Sequence, residues 1–437
     1  MGFQQGLSGL NVSAKSLDAI GNNVANSGTV GFKSARGEFA DVFAASLAGG
    51  GASQIGIGAA LATVSQQFTQ GNITATNNPL DVAINGGGFF RMSNNGALTY
   101  TRNGQFLIDK EGYVVNAAGY RLQGYEAPGG TIVQSTPTDI FIDPTDIQPN
   151  ATTNIIVGMN LDSREDAIGS GVGYVFDMAN PETYNKSTSA TVYDTLGNPH
   201  VMTMYFVKVA PPGGTNPAPP GGATGQWDMY LSVDGTDRTN VTADTGAPGA
   251  PYSLYYDNGG KNLAPLTKPT ISIDLDQVMT DLGKTNTAAT PLDFTIDLKN
   301  TTQFGSPFGV NNMVQDGFTS GRLAGIAISA DGIIRGRYSN GQSKDMGQIV
   351  LAKFNNPNGL QSLGGNQWQE TSASGAAIIG APGTGANGVV QSAAVEESNT
   401  DLTAELVQMI TQQRAYQANA QTIKTQDSIM QTLVNLR

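Results

Sequence analysis

Apolar residues at the two ends of this chain recur with a helical period, and those of the long middle alternate like strands. Over residues 3–24, Phe3, Leu10, Leu17 and Val24 recur at a fixed interval, and Leu7, Ala14 and Gly21 form a second row. Together they make an a/d-type seam of the coiled-coil kind. The seam stops at Asn22-Asn23-Val24-Ala25-Asn26-Ser27-Gly28, where Asn and Gly are natural helix terminators. The C-terminal segment repeats the pattern in Leu402, Met409, Tyr416, Ile423 and Met430. Its companion row is Leu406, Gln413, Ala420, Asp427 and Val434, and Ile410, Ile429, Leu433 and Leu436 widen the apolar face. Ser398-Asn399-Thr400-Asp401 offers N-cap candidates. A helix of about 36 residues would be some 54 Å long.

Between the ends, short alternating runs predict strands. Leu80–Ile84, Gly88–Met92, Ala97–Thr101, Gln105–Ile108 and Tyr113–Val115 are punctuated by Asn94-Asn95-Gly96, Asn103-Gly104 and Lys110-Glu111-Gly112. They read as consecutive hairpins. Further strands are predicted at 190–193, 201–207, 324–328 and 348–352, with a Pro/Gly-rich loop over 211–225. The fold class is therefore mixed and mainly β: nested, discontinuous β domains in the middle, with the N- and C-terminal helices forming a coiled-coil-like domain. The expected division is a terminal helical polymerisation domain (1–25 with 402–437), a linker (26–70 with 371–401), an inner β domain (71–145 with 306–370) and an outer β domain (146–305).

Composition narrows the function. Charged residues are 13% of the 437, the net charge is −12, and there is no cysteine. No run of Lys and Arg offers a footprint for nucleic acid or for an anionic membrane surface. Without cysteine there is no disulfide framework and no thiolate chemistry. The start, Met1-Gly2-Phe3-Gln4-Gln5, lacks the features of a cleavable signal peptide, and no apolar stretch is long enough to span a bilayer. Both terminal segments carry little charge and wide apolar faces. An isolated helix is marginal in water, so the ends are expected to be largely disordered in a free monomer and helical in a polymer.

Candidate chemistry is thin. The single histidine, His200, is expected at a turn or strand end, and no nucleophile triad or zinc site can be built around it. Gly383, Gly385 and Gly388 match a dinucleotide spacing, but Val389-Val390-Gln391 follows where a helix is required. Gly86-Gly87-Gly88 lacks a phosphate loop's ending. Asp274 and Asp276 are expected on one face of a strand, solvated rather than paired for a metal or for catalysis. No catalytic, cofactor or metal residue is assigned. An extracellular carbohydrate-active enzyme would need opposed carboxylates and aromatic platforms, and the chain has only Trp227 and Trp368. A monomeric adhesin would not need matched apolar helices at both ends.

The segment from Gln5-Gly6-Leu7-Ser8-Gly9-Leu10 to Asn22-Asn23-Val24-Ala25-Asn26 and Gly31-Phe32-Lys33 resembles the signature of the bacterial flagellar rod and hook axial protein family. So do Glu405–Ala420 and the ending Leu433-Val434-Asn435-Leu436-Arg437, while Asn85–Phe90 with Thr99–Phe106 is similar to the family's inner β domain. Within the family, the length and the outer domain fit the hook branch; a distal rod subunit, the alternative, is shorter. The resemblance implies a non-enzymatic, extracellular subunit of the basal body and hook, exported by the type III apparatus without a cleaved signal peptide. It would polymerise with itself into a curved tube, a universal joint between rod and filament. Implied partners are the hook cap, the distal rod protein, the hook–filament junction protein and the hook-length control protein. Self-assembly is expected to rest on Phe3, Leu7, Leu10, Leu17, Val24, Leu402, Leu406, Met409, Tyr416, Ile423, Met430, Leu433 and Leu436. The family signature is carried by Asn22, Asn23, Asn26, Gly31, Phe32 and Lys33.

Overall fold

The computed structural model describes residues 2–42, 56, 58–170, 173–210, 213, 218–244, 246–263 and 268–435. Its helices are α1 (Gly2–Ala25), α2 (Leu275–Asp281) and α3 (Leu402–Asn435). Met1–Pro144, Leu323–Arg337 and Ser343–Arg437 form one compact unit, and Thr145–Arg322 with Tyr338–Gln342 forms a second.

In the first unit, α1 lies along α3 and leads into an antiparallel hairpin of β1 (Ala35–Val42) and β2 (Gly58–Gln66), bulged at Glu38/Phe39. Next come β3 (Ile73–Ala75), β4 (Val82–Asn85), β5 (Phe89–Asn94) and β6 (Ala97–Thr101), then β7 (Leu107–Ile108), β8 (Val114–Val115) and β9 (Arg121–Glu126). The β5–β6 hairpin turns on Asn95 (φ 50°) and Gly96 (φ 94°), the left-handed pair that matches strand twist. Asn103-Gly104 departs from the expected hairpin turn. Gly104 instead presents its carbonyl to the Val82 N–H, and a Cβ there would lie 1.7 Å from the Val82 oxygen. Val82, Ile84, Phe90, Met92, Leu122, Ile349 and Leu351 fill the core. Phe89, Tyr100, Phe354 and Trp368 make a second cluster, with Phe68 packed on it.

Residues 371–401 are not the linker their Gly, Ala and Ser content predicts. Ile378–Gly380 pairs with Leu351–Lys353, Val389–Ser392 with β4, and Ala394–Glu396 with β3. Backbone hydrogen bonding thus draws the chain into the inner sheets before α3 begins. The strand at 389–392 also takes the place of the helix that the Gly383/Gly385/Gly388 spacing would need.

The second unit is a sandwich. Lys186–Tyr193, Pro199–Val209, Gly225–Val233 and Tyr252–Tyr256 form an antiparallel sheet, and Val241–Ala243, Thr270–Ile273, Leu292–Asp297, Asn154–Asn160 and Gly309–Gln315 form another. One apolar core joins both inner faces, with Val157, Met204, Trp227, Ile273 and Phe294 among its buried members. Gly309–Gln315 pairs antiparallel with Asn154–Asn160, so this unit runs to Arg322, beyond the boundary expected at 305. Asp274 is not on a strand with Asp276. It caps α2, its carboxylate accepting from the N–H groups of Asp276 and Gln277.

Candidate functional site

The two terminal helices meet along small residues. A Cβ on Gly6 would lie 3.0 Å from Ile423 and Thr422 of α3, and one on Gly9 2.7 Å from Asn419. Ser13, Ile20 and Asn23 continue this buried face of α1. On α3 the facing residues are Glu405, Met409, Gln412, Ala415, Asn419, Ile423 and Gln426, which are half-buried. Small side chains let the backbones approach closely, so the intrachain contact uses little of the apolar stripe. Among the described side chains of the expected α3 seam, Met409, Ala420 and Ile423 are half-buried. Phe3 (52% exposed), Leu7 (45%), Leu402 (45%), Leu406 (43%), Ile410 (51%), Tyr416 (38%) and Met430 (61%) face outward. Leu10, Leu17 and Val24 are half-buried. Leu433 is described as helical backbone alone, and Leu436 lies outside the described residues.

The residues expected to carry the family signature lie at the joint where the helices enter the β unit. Asn22 and Asn26 close α1: the Asn22 carbonyl accepts from the Asn26 backbone N–H (3.1 Å), and the Asn26 amide donates to the Asn22 side chain (2.6 Å). Asn23 is buried and ties three elements. Its amide donates to the Ala35 carbonyl (2.8 Å) and to Glu405 of α3 (3.0 Å), and its oxygen accepts from the Ala35 N–H (2.8 Å). Gly31 has φ +71°, and a Cβ there would lie 2.6 Å from the Asn103 nitrogen and 2.8 Å from the Arg102 carbonyl carbon. Only glycine fits that approach without strain. Phe32 is half-buried beside it.

Lys33 is fully buried, and its ammonium donates to Glu396 (2.6 Å) and to the Thr69 carbonyl (2.7 Å). Glu396 also receives Arg102 (3.1 Å) and the Gly71 N–H (2.9 Å). One buried carboxylate therefore serves two buried cations. Burial pulls the Lys33 pKa below 10.5, and Glu396 pushes back against that fall. Asn399 completes the joint, accepting from the Ser34 N–H (2.8 Å) and donating to the Gln67 carbonyl (2.7 Å). The α3 cap is Asp401, whose carboxylate accepts from Thr403 and Ala404.

The joint also uses Arg102 and Glu396, which no local sequence pattern marks, and Asn399, which the sequence offers only as an N-cap candidate for α3. Arg102 sits inside the Thr99–Phe106 segment matched by resemblance, and that was the one available signal. Among the described residues, no three His, Cys, Asp or Glu side chains are grouped to hold a metal. Nor is any described helix long and apolar enough to cross a membrane.

Comparison with known proteins covers the chain in four stretches. Residues 3–33 match the flagella basal body rod protein family, 83–160 the flagellar hook protein FlgE/F/G D1 domain, 160–318 the flagellar basal body protein FlaE D2 domain, and 391–436 the flagellar basal body rod FlgEFG protein C-terminal family. The chain is 40% identical to the flagellar hook protein FlgE of Escherichia coli (strain K12) over 451 residues, covering 100% of both. It is 40% identical to that of Salmonella typhimurium over 446 residues, again covering 100% of both. It is 32% identical to that of Borreliella burgdorferi, covering 99% of this chain and 98% of that one.

Proposed function

Because the chain belongs to the flagellar hook protein family, as a structural subunit of the bacterial flagellar hook, we propose that the outward faces of α1 and α3 are its polymerisation surface. The observation that carries this is the unspent apolar stripe. Gly6, Gly9 and Ser13 bring the helices together, while Phe3, Leu7, Leu402, Leu406, Ile410, Tyr416 and Met430 remain exposed. Full burial of such a side chain is worth about 1.5–3 kcal/mol, so covering the exposed half of each against a neighbouring subunit is worth on the order of 1 kcal/mol. Several such contacts per subunit favour a bundle of subunits over a lone chain. Leu10, Leu17, Val24, Met409, Ile423, Leu433 and Leu436 widen the same bundle.

The tube so formed is curved and hollow and acts as a universal joint from rod to filament. Its role is mechanical rather than enzymatic. The implied partners are further copies of this chain, the hook cap, the distal rod protein, the hook–filament junction protein and the hook-length control protein. The route out of the cell is the flagellar export apparatus, without cleavage of a leader. Asn22, Asn23, Asn26, Gly31, Phe32 and Lys33 set the angle at which the helices enter the β unit. A distal rod subunit is disfavoured by the sandwich unit and by full-length similarity to hook proteins.

The test is electron microscopy of the purified full-length chain in precipitating salt beside the Leu406→Asp/Ile410→Asp variant. Tubes from the natural chain and dispersed monomers from the variant are expected. Equally abundant tubes from the variant would remove the outward α3 face from the interface.

A further inference from the structure

The chain's single histidine is placed where neither neutral form of its ring is comfortable. His200 is the second residue of strand Pro199–Val209 and is 1% exposed. Its Nδ1 lies 2.8 Å from Asp234 Oδ2, and its Nε2, which has no hydrogen-bond partner, faces Asp194 Oδ2 at an ion-pair distance of 3.6 Å. A neutral imidazole protonated on Nδ1 turns the bare Nε2 lone pair toward the Asp194 carboxylate. The other tautomer sets a lone pair against Asp234 at hydrogen-bonding distance. Only the imidazolium presents an N–H to both carboxylates.

Each carboxylate also holds a turn. Asp194 accepts from the N–H groups of Leu196 and Asn198 (both 2.8 Å) and from the Asn198 side chain (2.8 Å), closing the hairpin loop before His200. Asp234, in the left-handed region at φ 51°, accepts from the Val201 N–H (2.7 Å) at the turn that leaves strand Gly225–Val233. Among the described residues, the charged groups facing this cluster are Asp194 from the first turn, Asp234 from the second, and Lys284, which follows α2 and acts on Asp234.

We propose that His200 is a proton-operated clasp: as an imidazolium it bridges Asp194 and Asp234 and pins two turns of the sandwich unit, and loss of its proton opens the bridge. The proton is the ligand, and no co-reactant is needed. The Asp234 hydrogen bond raises the imidazole pKa above 6.5, burial opposes the rise, and Asp194 adds to it. The sign follows. Between the ordinary value and the raised one, the folded chain holds a proton that the unfolded chain has released. The contribution is therefore complete below about pH 6.5 and is lost as pH rises through the folded midpoint. The inference is independent of the assembly reading.

Because there is one histidine, its ring can be titrated without assignment by NMR of the full-length chain carrying ¹³C/¹⁵N-histidine. The expected result is a midpoint above 6.5 that falls in the Asp234→Asn variant. Both ring nitrogens should carry protons on the acid side. Hydrogen exchange at Val201 and Asn198, corrected for intrinsic pH dependence, should quicken as pH crosses the midpoint, and the His200→Gln variant should lack that crossing. A midpoint at or below 6.5 in the natural chain, or a neutral tautomer throughout pH 5–8, would overturn the clasp whether or not either variant folds.

Discussion

Replacing Glu396 by Gln tests the joint between helices and β unit most severely. The change keeps shape and removes one charge, leaving Lys33 and Arg102 buried together with no counter-ion. Breaking a buried ion pair from one side costs about 3–5 kcal/mol. The upper part of that range applies, because the carboxylate serves two cations and the Gly71 N–H. A ceiling comes from Lys33 itself: shedding its proton at pH 7, against an ordinary value near 10.5, costs about 4–5 kcal/mol, at 1.36 kcal/mol per unit. The two figures agree, so a loss of about 4 kcal/mol is expected, lowering the melting temperature by about 10 °C for a unit of this size. The assay is calorimetric unfolding of full-length monomer in a cycle with Lys33→Met. Lys33→Met alone should be milder, because Arg102 still pairs with Glu396, and the double variant should recover part of the Glu396→Gln loss. In Glu396→Gln, the folded chain sheds the Lys33 proton before the unfolded chain does. Its stability should therefore rise as pH climbs from 7 toward 10. A loss below about 1 kcal/mol, or strict additivity in the cycle, would refute the shared-carboxylate account.

Other variants probe the same joint. Gly31→Ala forces a Cβ into a left-handed position against the Arg102–Asn103 backbone; it should cost about 2–4 kcal/mol, read by urea unfolding of the monomer. Asn23→Ala strips three hydrogen bonds and leaves the Ala35 backbone and Glu405 unmet. It should cost roughly 2–3 kcal/mol and quicken exchange at the Ala35 amide. If the proposed polymerisation surface is right, the free monomer should show less helix by circular dichroism than the polymer, because an isolated helix is marginal in water.

Much of the architecture was legible in the sequence. The terminal helices announce themselves by period, and runs such as Ala97–Thr101 and Val201–Val207 by alternation. The face on which the helices meet was not, because Gly6, Gly9 and Ser13 carry no apolar signal; their role is to be small. The boundary near 305 was misplaced because Gly309–Gln315 has an edge-strand pattern whose partner, Asn154–Asn160, is distant in sequence. Residues 371–401 looked like a linker because short strands rich in Gly and Ala owe their order to ladder bonds rather than to side chains. Lys33 was found only by resemblance. Arg102 and Glu396 look like ordinary surface charges until folding brings them together, and a charge that is rarely buried gives no local cue that it will be.

The most direct measurement of the central claim uses the absence of native cysteine. The Ile410→Cys chain is labelled with a maleimide as monomer and as assembled tube, beside Leu363→Cys on the inner unit, where Leu363 is 50% exposed. Outward α3 faces that close against neighbouring subunits predict rapid labelling of I410C in the monomer and at least about tenfold slower labelling in the tube. Equal rates in monomer and tube, with tubes intact, would contradict the account.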